Sequence, residues 1–472
     1  MKKTILSTVI SSTIALSATS IGALAQDDEN LWLEEIVVTS TKRGAIALQD
    51  IPTSITAIDQ DTLGRMGAVA VEDLTRAIPA LDTVDAGPGQ KTYLVRGINA
   101  EGEGTVAVIL DNIPQVGGGD SSRRAGSNTP DFDLYDIQQV EVLRGPQGTQ
   151  YGANSVAGVV RYVTNKPHFG EDEFEVETGA SQYEGGESSY NIKSLFNTVL
   201  IDDVLAFRGT VGFADSGGFI DNIVLNEDNI NSNERTSVRL ALTWDISENT
   251  SLLGQYFFQE IESGGRTSHS PFDWSDNIGP PFMYSATGEF LGNTFSKEKA
   301  GELKSHTPVH EPYKEEANTF ALTLTSEQDW GNLTVATSIV ERDQELNMDS
   351  STPVQLHQRF ASTGECLRTG PCTPGRPFGG TADAPTVPPI PPFISFSDPS
   401  TVISPTGLVV LEQAQTQKAF NFEARVASTN SGAVNYMAGY FHQKREQILD
   451  YSRVWSVDPS TGKPIYDPAF LM

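Results

Sequence analysis

Val140-Glu141-Val142-Leu143-Arg144-Gly145-Pro146-Gln147-Gly148-Thr149 is the stretch on which the reading of the chain turns. Val140–Leu143 has the composition of a short strand. Gly145, Gly148 and Gly152 follow it, and a glycine-rich turn after a strand raises the question of a phosphate cradle. No Gly-Lys-Ser/Thr follows, so a P-loop is excluded. The glycines instead permit tight turns and close backbone approach. Working outward, Tyr93-Leu94-Val95 and Val106-Ala107-Val108-Ile109-Leu110 read as further short strands. Thr75-Arg76-Ala77-Ile78-Pro79 ends a helix at the proline. Residues 46–167 therefore read as a small α/β domain of about 120 residues, enough for a core of its own.

From about residue 170 the pattern changes to alternation. Leu205, Phe207, Val211 and Phe213 alternate with Ala206, Arg208, Thr210 and Gly212. The same period of two runs through Ser237–Trp244, Phe320–Leu324, Leu333–Ile339 and Ala419–Val426. One face of these strands meets something apolar. The other carries charges, which suits a polar lumen more than a packed core. A soluble β-sandwich is the alternative; it would bury its apolar face but would rarely need such long connections. Here the turns at Asp202-Asp203 and near Glu248-Asn249 are tight, while 262–316 and 345–416 are long. Short turns at one end and long loops at the other are the habit of transmembrane barrels. About nine strand candidates are present, whereas a barrel plugged by such a domain needs about 22, so the barrel is expected to be incomplete in this chain.

The ends and the composition narrow the function classes. Lys2 and Lys3, an apolar run from Thr4 to about Ala18, and Ala23-Leu24-Ala25 form a signal peptide over residues 1–25. The formal charge of −29 becomes −31 once those two lysines are removed, which disfavours nucleic-acid binding. No apolar run after residue 26 is long enough for a transmembrane helix. Cys366 and Cys372, six apart in a Pro/Gly-rich stretch of an exported chain, are expected to form a disulfide stapling one loop. A metal pair is the rival, but no histidine lies nearby in ligand spacing. His306 and His310 are separated by Pro308, against a helical metal pair. No nucleophile motif appears, so no catalytic residue, metal or cofactor is assigned and an enzyme is not expected.

Taken together, several motifs resemble those of TonB-dependent outer-membrane receptors. Glu35-Ile36-Val37-Val38-Thr39-Ser40 follows the signal peptide as a TonB box does. Tyr93-Leu94-Val95-Arg96-Gly97-Ile98, Leu110-Asp111-Asn112-Ile113-Pro114 and Val140–Thr149, continued by Tyr151-Gly152-Ala153-Asn154-Ser155, resemble the plug motifs of that family. Asn421–Ser428 looks like one of its barrel strands. Physically, a mobile β-prone segment suits a handle, because an extended strand can add to a partner's sheet edge through backbone bonds. The expected organisation is a leader with the TonB box over 26–45, a plug over 46–167 and the N-terminal part of a barrel over 168–472.

The resemblance implies energised uptake of a bulky, scarce nutrient, a ferric siderophore first, across the outer membrane of a Gram-negative bacterium. TonB of the inner-membrane energising complex and outer-membrane lipid are the implied partners. A corrinoid, an oligosaccharide or another large solute is the runner-up cargo. A passive barrel or adhesin is the different-class rival, and the box and plug argue against it. A signalling transducer would carry an extra periplasmic domain before the box, and the roughly ten residues between Gln26 and Ile36 disfavour that version. The resemblance also places ligand contacts on plug loops near 85–91, 99–105 and 115–130, with Gln90, Lys91, Glu101, Arg123 and Arg124 as candidates. Finally, Arg96 and Arg144 are expected to lock the plug to the wall through Glu423. Strand parity supports half of that: with Phe420, Phe422, Ala424 and Val426 on the apolar face, Glu423 must point into the lumen.

Overall fold

The computed structural model describes residues 37–38, 42, 46–47, 51–267 (except 52, 86, 99–103 and 118–129), 283–284, 290–292, 301–349 (except 306 and 308), 409–456 (except 430–433), 461 and 463–464. The signal peptide, the cysteine pair and His306 lie outside them. Among the described residues no helix is long and apolar enough to cross a membrane.

The chain enters as a two-stranded ribbon, β1 (Val37–Val38) with β2 (Ile46–Ala47). The plug follows: β3 (Ile55–Asp59), β4 (Leu81–Asp85), β5 (Lys91–Val95), β6 (Val106–Leu110), β7 (Ile113–Pro114), β8 (Ile137–Arg144) and β9 (Gly158–Thr164). Its main sheet runs β3-β8-β9-β6-β7, with β6 and β9 parallel and the other pairs antiparallel. Asp59 caps the helix Gln60–Met66 by accepting from the Thr62 amide at 2.7 Å, and Gly67, at φ 62°, ends it in the left-handed conformation. The next helix, Val71–Leu74, stops before Pro79; hydrogen-bonded turns, not further helix, carry the chain to Ile78. Leu63, Leu74, Ile78, Tyr93, Val140, Val160 and Tyr162 are buried together. The two tyrosine hydroxyls meet at 3.1 Å, so neither polar tip is left unpaired inside the core.

A nine-stranded antiparallel wall begins nine residues after β9: β10 (Glu173–Gln182), β11 (Ser188–Ile201), β12 (Leu205–Ser216), β14 (Asn233–Ser247), β15 (Thr250–Ser263), β19 (Tyr313–Gln328), β20 (Gly331–Asp349), β21 (Val409–Ala427) and β22 (Met437–Ser456). The remaining short strands, β13 (Asp221–Asn222), β16 (Met283–Tyr284), β17 (Phe290–Gly292) and β18 (Lys304–Ser305), belong to the long connections; β13 pairs with β18 and so ties two of those connections together. Each wall strand bonds the next in sequence, and β10 and β22 are the two edges of the sheet. The barrel is not closed among the described residues.

The wall is polar inside and apolar outside. Arg208, Gln255, Gln259, Arg342 and Asn421 are buried and bonded to the plug. Leu242, Trp244, Phe320, Leu322, Ile339 and Phe420 face outward, 39–57% exposed. A soluble sandwich would do the reverse; the outward apolar face suits lipid. The tight turns fall at 202–204, 248–249 and 329–330 and the long connections at the other end, at 217–232, 264–312 and 350–408. The strands run further into those connections than alternation alone indicates: β20 and β21 have 19 residues each. Near the long-loop end the outward residues become charged, with Glu316, Glu341, Asp343 and Glu345 on β19 and β20.

Candidate functional site

The functional geometry lies where the N-terminal segment and the plug meet the inner face of the wall. In the β1–β2 ribbon, Val37 pairs with Ala47 and Val38 with Ile46. Val38 has no exposed surface, so this part of the expected handle is folded back and not free. Glu35, Ile36, Thr39 and Ser40 lie outside the described residues. Between the two strands, Lys42 reaches the wall. Its Nζ lies 2.8 Å from Glu423 Oε2 and 5.0 Å from the centre of the Tyr151 ring. Burial depresses the Lys42 pKa, opposed by the charge and hydrogen bond of Glu423. The other Glu423 oxygen accepts from Arg425 Nη1 at 2.8 Å.

Glu423 therefore points inward and is 8% exposed, but its partners differ from the expected pair. Arg144 lies at the end of β8, beside the start of β3, and donates to Thr56 Oγ1 at 3.1 Å and Ile55 O at 3.4 Å. Arg96 is exposed, in a left-handed turn position (φ 55°) just after β5. Among the described residues neither arginine is ion-paired with Glu423, and Lys42 takes that place.

The larger grip has the opposite polarity, with acids on the plug and bases on the wall. Asp131, fully buried, is held by Arg235 at 2.6 Å and by Lys91 at 2.8 Å, and its carbonyl accepts from Gln259 at 2.9 Å. Burial works to raise the Asp131 pKa, but Arg235 and Lys91 outweigh it and hold the carboxyl down at about 2. Asp133 pairs with Lys193 at 2.9 Å. Asp136 takes a fork from Arg208, at 2.7 and 3.2 Å, and its carbonyl accepts from Arg239 at 3.1 Å. Further along, Asp111 is bonded by Gln255 at 2.7 Å and paired with Lys166 at 2.5 Å. Motif reading passed over this grip, although two signals for it were present. Acids recur through Asp131-Phe132-Asp133-Leu134-Tyr135-Asp136, and parity puts Arg208 and Arg239 on the lumen face.

The ligand candidates fare unevenly. Gln90 and Lys91 are buried, 4% and 5% exposed, and not on a free surface. Lys91 is committed to Asp131 and Glu72; burial lowers its pKa, yet those two carboxylates raise it above the ordinary lysine value. The neighbouring Gly89 shows why this loop is pressed on the wall. Its carbonyl accepts from Tyr313 Oη at 3.2 Å and Arg342 Nη2 at 3.3 Å. A Cβ at Gly89 would sit 2.6 Å from the Tyr313 ring, and its φ of +68° also favours glycine. Glu101, Arg123 and Arg124 lie outside the described residues. No group of three or more metal-ligating side chains is gathered among the described residues.

Comparison with known proteins agrees with this geometry. Residues 47–159 match the model of the TonB-dependent receptor plug domain. The pesticin receptor of Yersinia pestis is 30% identical over 123 residues, covering 24% of this chain and 17% of that protein. The ferrioxamine receptor of Yersinia enterocolitica is 27% identical over 148 residues, 31% of this chain and 19% of that protein. In fold, the ferric yersiniabactin uptake receptor of Yersinia pestis matches with a TM-score of 0.57 at 15% identity, covering 85% of this chain and 50% of that one. The ferric preacinetobactin receptor of Acinetobacter baumannii matches with a TM-score of 0.56 at 13% identity, covering 92% of this chain and 53% of that one. The chain thus spans about half the length of these solved receptors. Residues 47–159 are thus a TonB-dependent receptor plug domain, and the wall that follows has the fold of the solved receptors.

Proposed function

We propose that this chain serves in TonB-energised uptake of a ferric siderophore across the outer membrane. The observation that carries the reading is a plug held by ion pairs inside an outward-apolar wall, with a β-prone strand, Val37–Val38, at its N-terminal entry. Such an arrangement blocks a lumen with an object whose bonds are polar and breakable. It also supplies an N-terminal strand that a periplasmic partner can take by strand addition. The outer membrane has no ATP, so the work must come through that partner. Residues 35–40 are the handle, the plug shifts or partly unfolds when they are pulled, and cargo passes along the wall. Iron is favoured as the cargo element because the names of the similar receptors refer to ferric complexes.

The test is growth of a receptor-deletion strain complemented with the full-length receptor, on iron supplied as single ferric siderophores, with corrinoid and oligosaccharide sources in parallel. Receptor-dependent growth on at least one limiting ferric siderophore supports the reading. Receptor-dependent growth only on a corrinoid or a sugar would overturn the choice of cargo.

A further inference from the structure

We propose that an anionic cargo leaves the receptor along the lumen faces of β12, β14 and β15, and that Arg239 is the gate on that route. The proposal rests on the uptake reading above and adds where the cargo passes and what charge it carries. Two cavities lie in series between the plug and these strands. The first lies towards the long-loop end and is mostly apolar, with Leu110, Phe132, Ile137, Phe257 and Val340 in its lining. The second lies towards the tight-turn end, where Arg208, Arg239, Gln255 and Thr164 line it and no carboxylate does. Both cavities are bounded by Thr210, Arg239 and Phe257. Those three are cross-strand partners, Thr210 with Arg239 and Arg239 with Phe257. They form a single row across the wall and mark the narrow point between the two cavities.

Arg239 closes the row by donating to the plug's main chain, to the carbonyls of Tyr135 and of Asp136, the latter at 3.1 Å. Around it the lumen side chains are small, with Gly212 paired to Ser237 on one side and Ala241 on the other. The next strands hold the plug differently: Ala321 of β19 and Ala419 of β21 are buried in one apolar cluster with the plug's Val160 and Tyr162. The polar side is therefore the one that can open. There the plug presents one acidic segment, in which Asp131, Asp133 and Asp136 occupy Arg235, Lys193 and Arg208. Withdrawing that segment removes three carboxylates in one movement and releases Arg239 with them. Arg208 keeps Glu173 of β10 at 2.8 Å, whereas among the described residues Arg235 and Arg239 are paired with no carboxylate of the wall. A guanidinium uncovered in this way binds an oxygen-rich anion through its N–H donors. At rest the plug's own aspartates hold the place of that anion.

Thiol labelling of the full-length receptor in detergent tests the route, in urea that makes the plug protease-sensitive and leaves the wall folded. Ala241→Cys lines the second cavity; Ser338→Cys sits on the same register row, through Gln255 and Ala321, and lines neither cavity. The probes are an anionic sulfonate and a cationic trimethylammonium methanethiosulfonate, read by mass spectrometry of the peptide covering each position. The anionic probe should modify Ala241→Cys about tenfold faster than the cationic one, and Ser338→Cys should show no preference. Adding Arg239→Gln should abolish the preference at Ala241→Cys, and Arg239→Lys should keep it. No preference at Ala241→Cys, or the reverse one, would overturn the route. So would an equal preference at Ser338→Cys, which would mark the whole lumen as cationic. In cells, Arg239→Gln should lower the maximal uptake rate of a growth-supporting ferric siderophore about tenfold at unchanged surface Kd, with Arg239→Lys near wild type. Wild-type uptake by Arg239→Gln would overturn the gate, and so would a fall accompanied by increased antibiotic entry, which would mark a loosened plug. The labelling needs neither the energising partner nor a siderophore, so its failure is distinguishable from a failure of the uptake reading, which is scored by growth.

Discussion

Lys42 and Glu423 are 381 positions apart in sequence and joined by a 2.8 Å hydrogen bond. The contact joins the segment next to the N-terminal handle to a wall strand near the end of the described sheet. It ties the segment ahead of the plug to the wall, in the place where the family resemblance put Arg96 and Arg144.

The first prediction sets Arg208, which forks Asp136 from the wall, against Arg96. Arg208→Ala should destabilise the seating of the plug by roughly 3–5 kcal/mol, because the buried Asp136 loses its fork. Arg96→Ala, at an exposed turn, should stay within about 0.5 kcal/mol. Protease resistance of the plug in the full-length receptor, titrated with urea, compares them. Equal effects of the two substitutions would refute the assignment.

A second prediction follows from Asp131. Its pKa of about 2 lies below the ordinary 3.8. A carboxyl depressed on folding contributes stability above its unfolded pKa and loses it as pH falls through the folded one. The drop is worth about 2 kcal/mol, present above about pH 4 and gone near pH 2. Glu72, raised by burial and then by Asp131, acts in the opposite sense and in a higher window. Asp131→Asn should flatten the acid limb of plug unfolding between pH 4 and 2. An unchanged limb would show that Asp131 does not set it.

Gly89 gives a third. Gly89→Ala meets both a left-handed backbone and the Tyr313 ring. It should loosen the plug by more than about 1 kcal/mol, read as increased entry of a large antibiotic through the full-length receptor. Gly64→Ala is the control, since nothing lies within 4 Å of a Cβ there and the residue sits in a helix. Matching leakiness for the two variants would contradict the docking of this loop on the wall.

The fourth concerns the outer face. Leu322→Arg should impair assembly into the outer membrane, with a cost of about 2–4 kcal/mol near the bilayer midplane. Glu345→Arg, on the charged stretch towards the long-loop end, should assemble normally. Protease protection of the two variants in isolated outer membranes decides this, and normal assembly of both would place the lipid boundary elsewhere.

Sequence legibility followed physical locality. Alternation exposed the wall, because an inside-out barrel makes every second residue polar; Arg208, Arg239 and Glu423 were placed on the lumen face by parity alone. The plug strands were visible as short apolar runs bounded by glycine and proline. What stayed hidden were the partners. Parity says that Glu423 points inward but not which cation it meets, and Lys42 sits in a polar leader with no pattern of its own. The commitment of Lys91 to Asp131 and Glu72 was equally invisible, because a lysine in a glycine-rich loop reads as exposed until the wall is in place.

The most direct test of energised uptake is Val38→Pro in the full-length receptor, assayed with a radiolabelled ferric siderophore on which the strain depends. Proline removes a backbone donor and disturbs strand addition. The account predicts wild-type surface binding and loss of uptake; equal uptake by variant and wild type at matched receptor levels would contradict it.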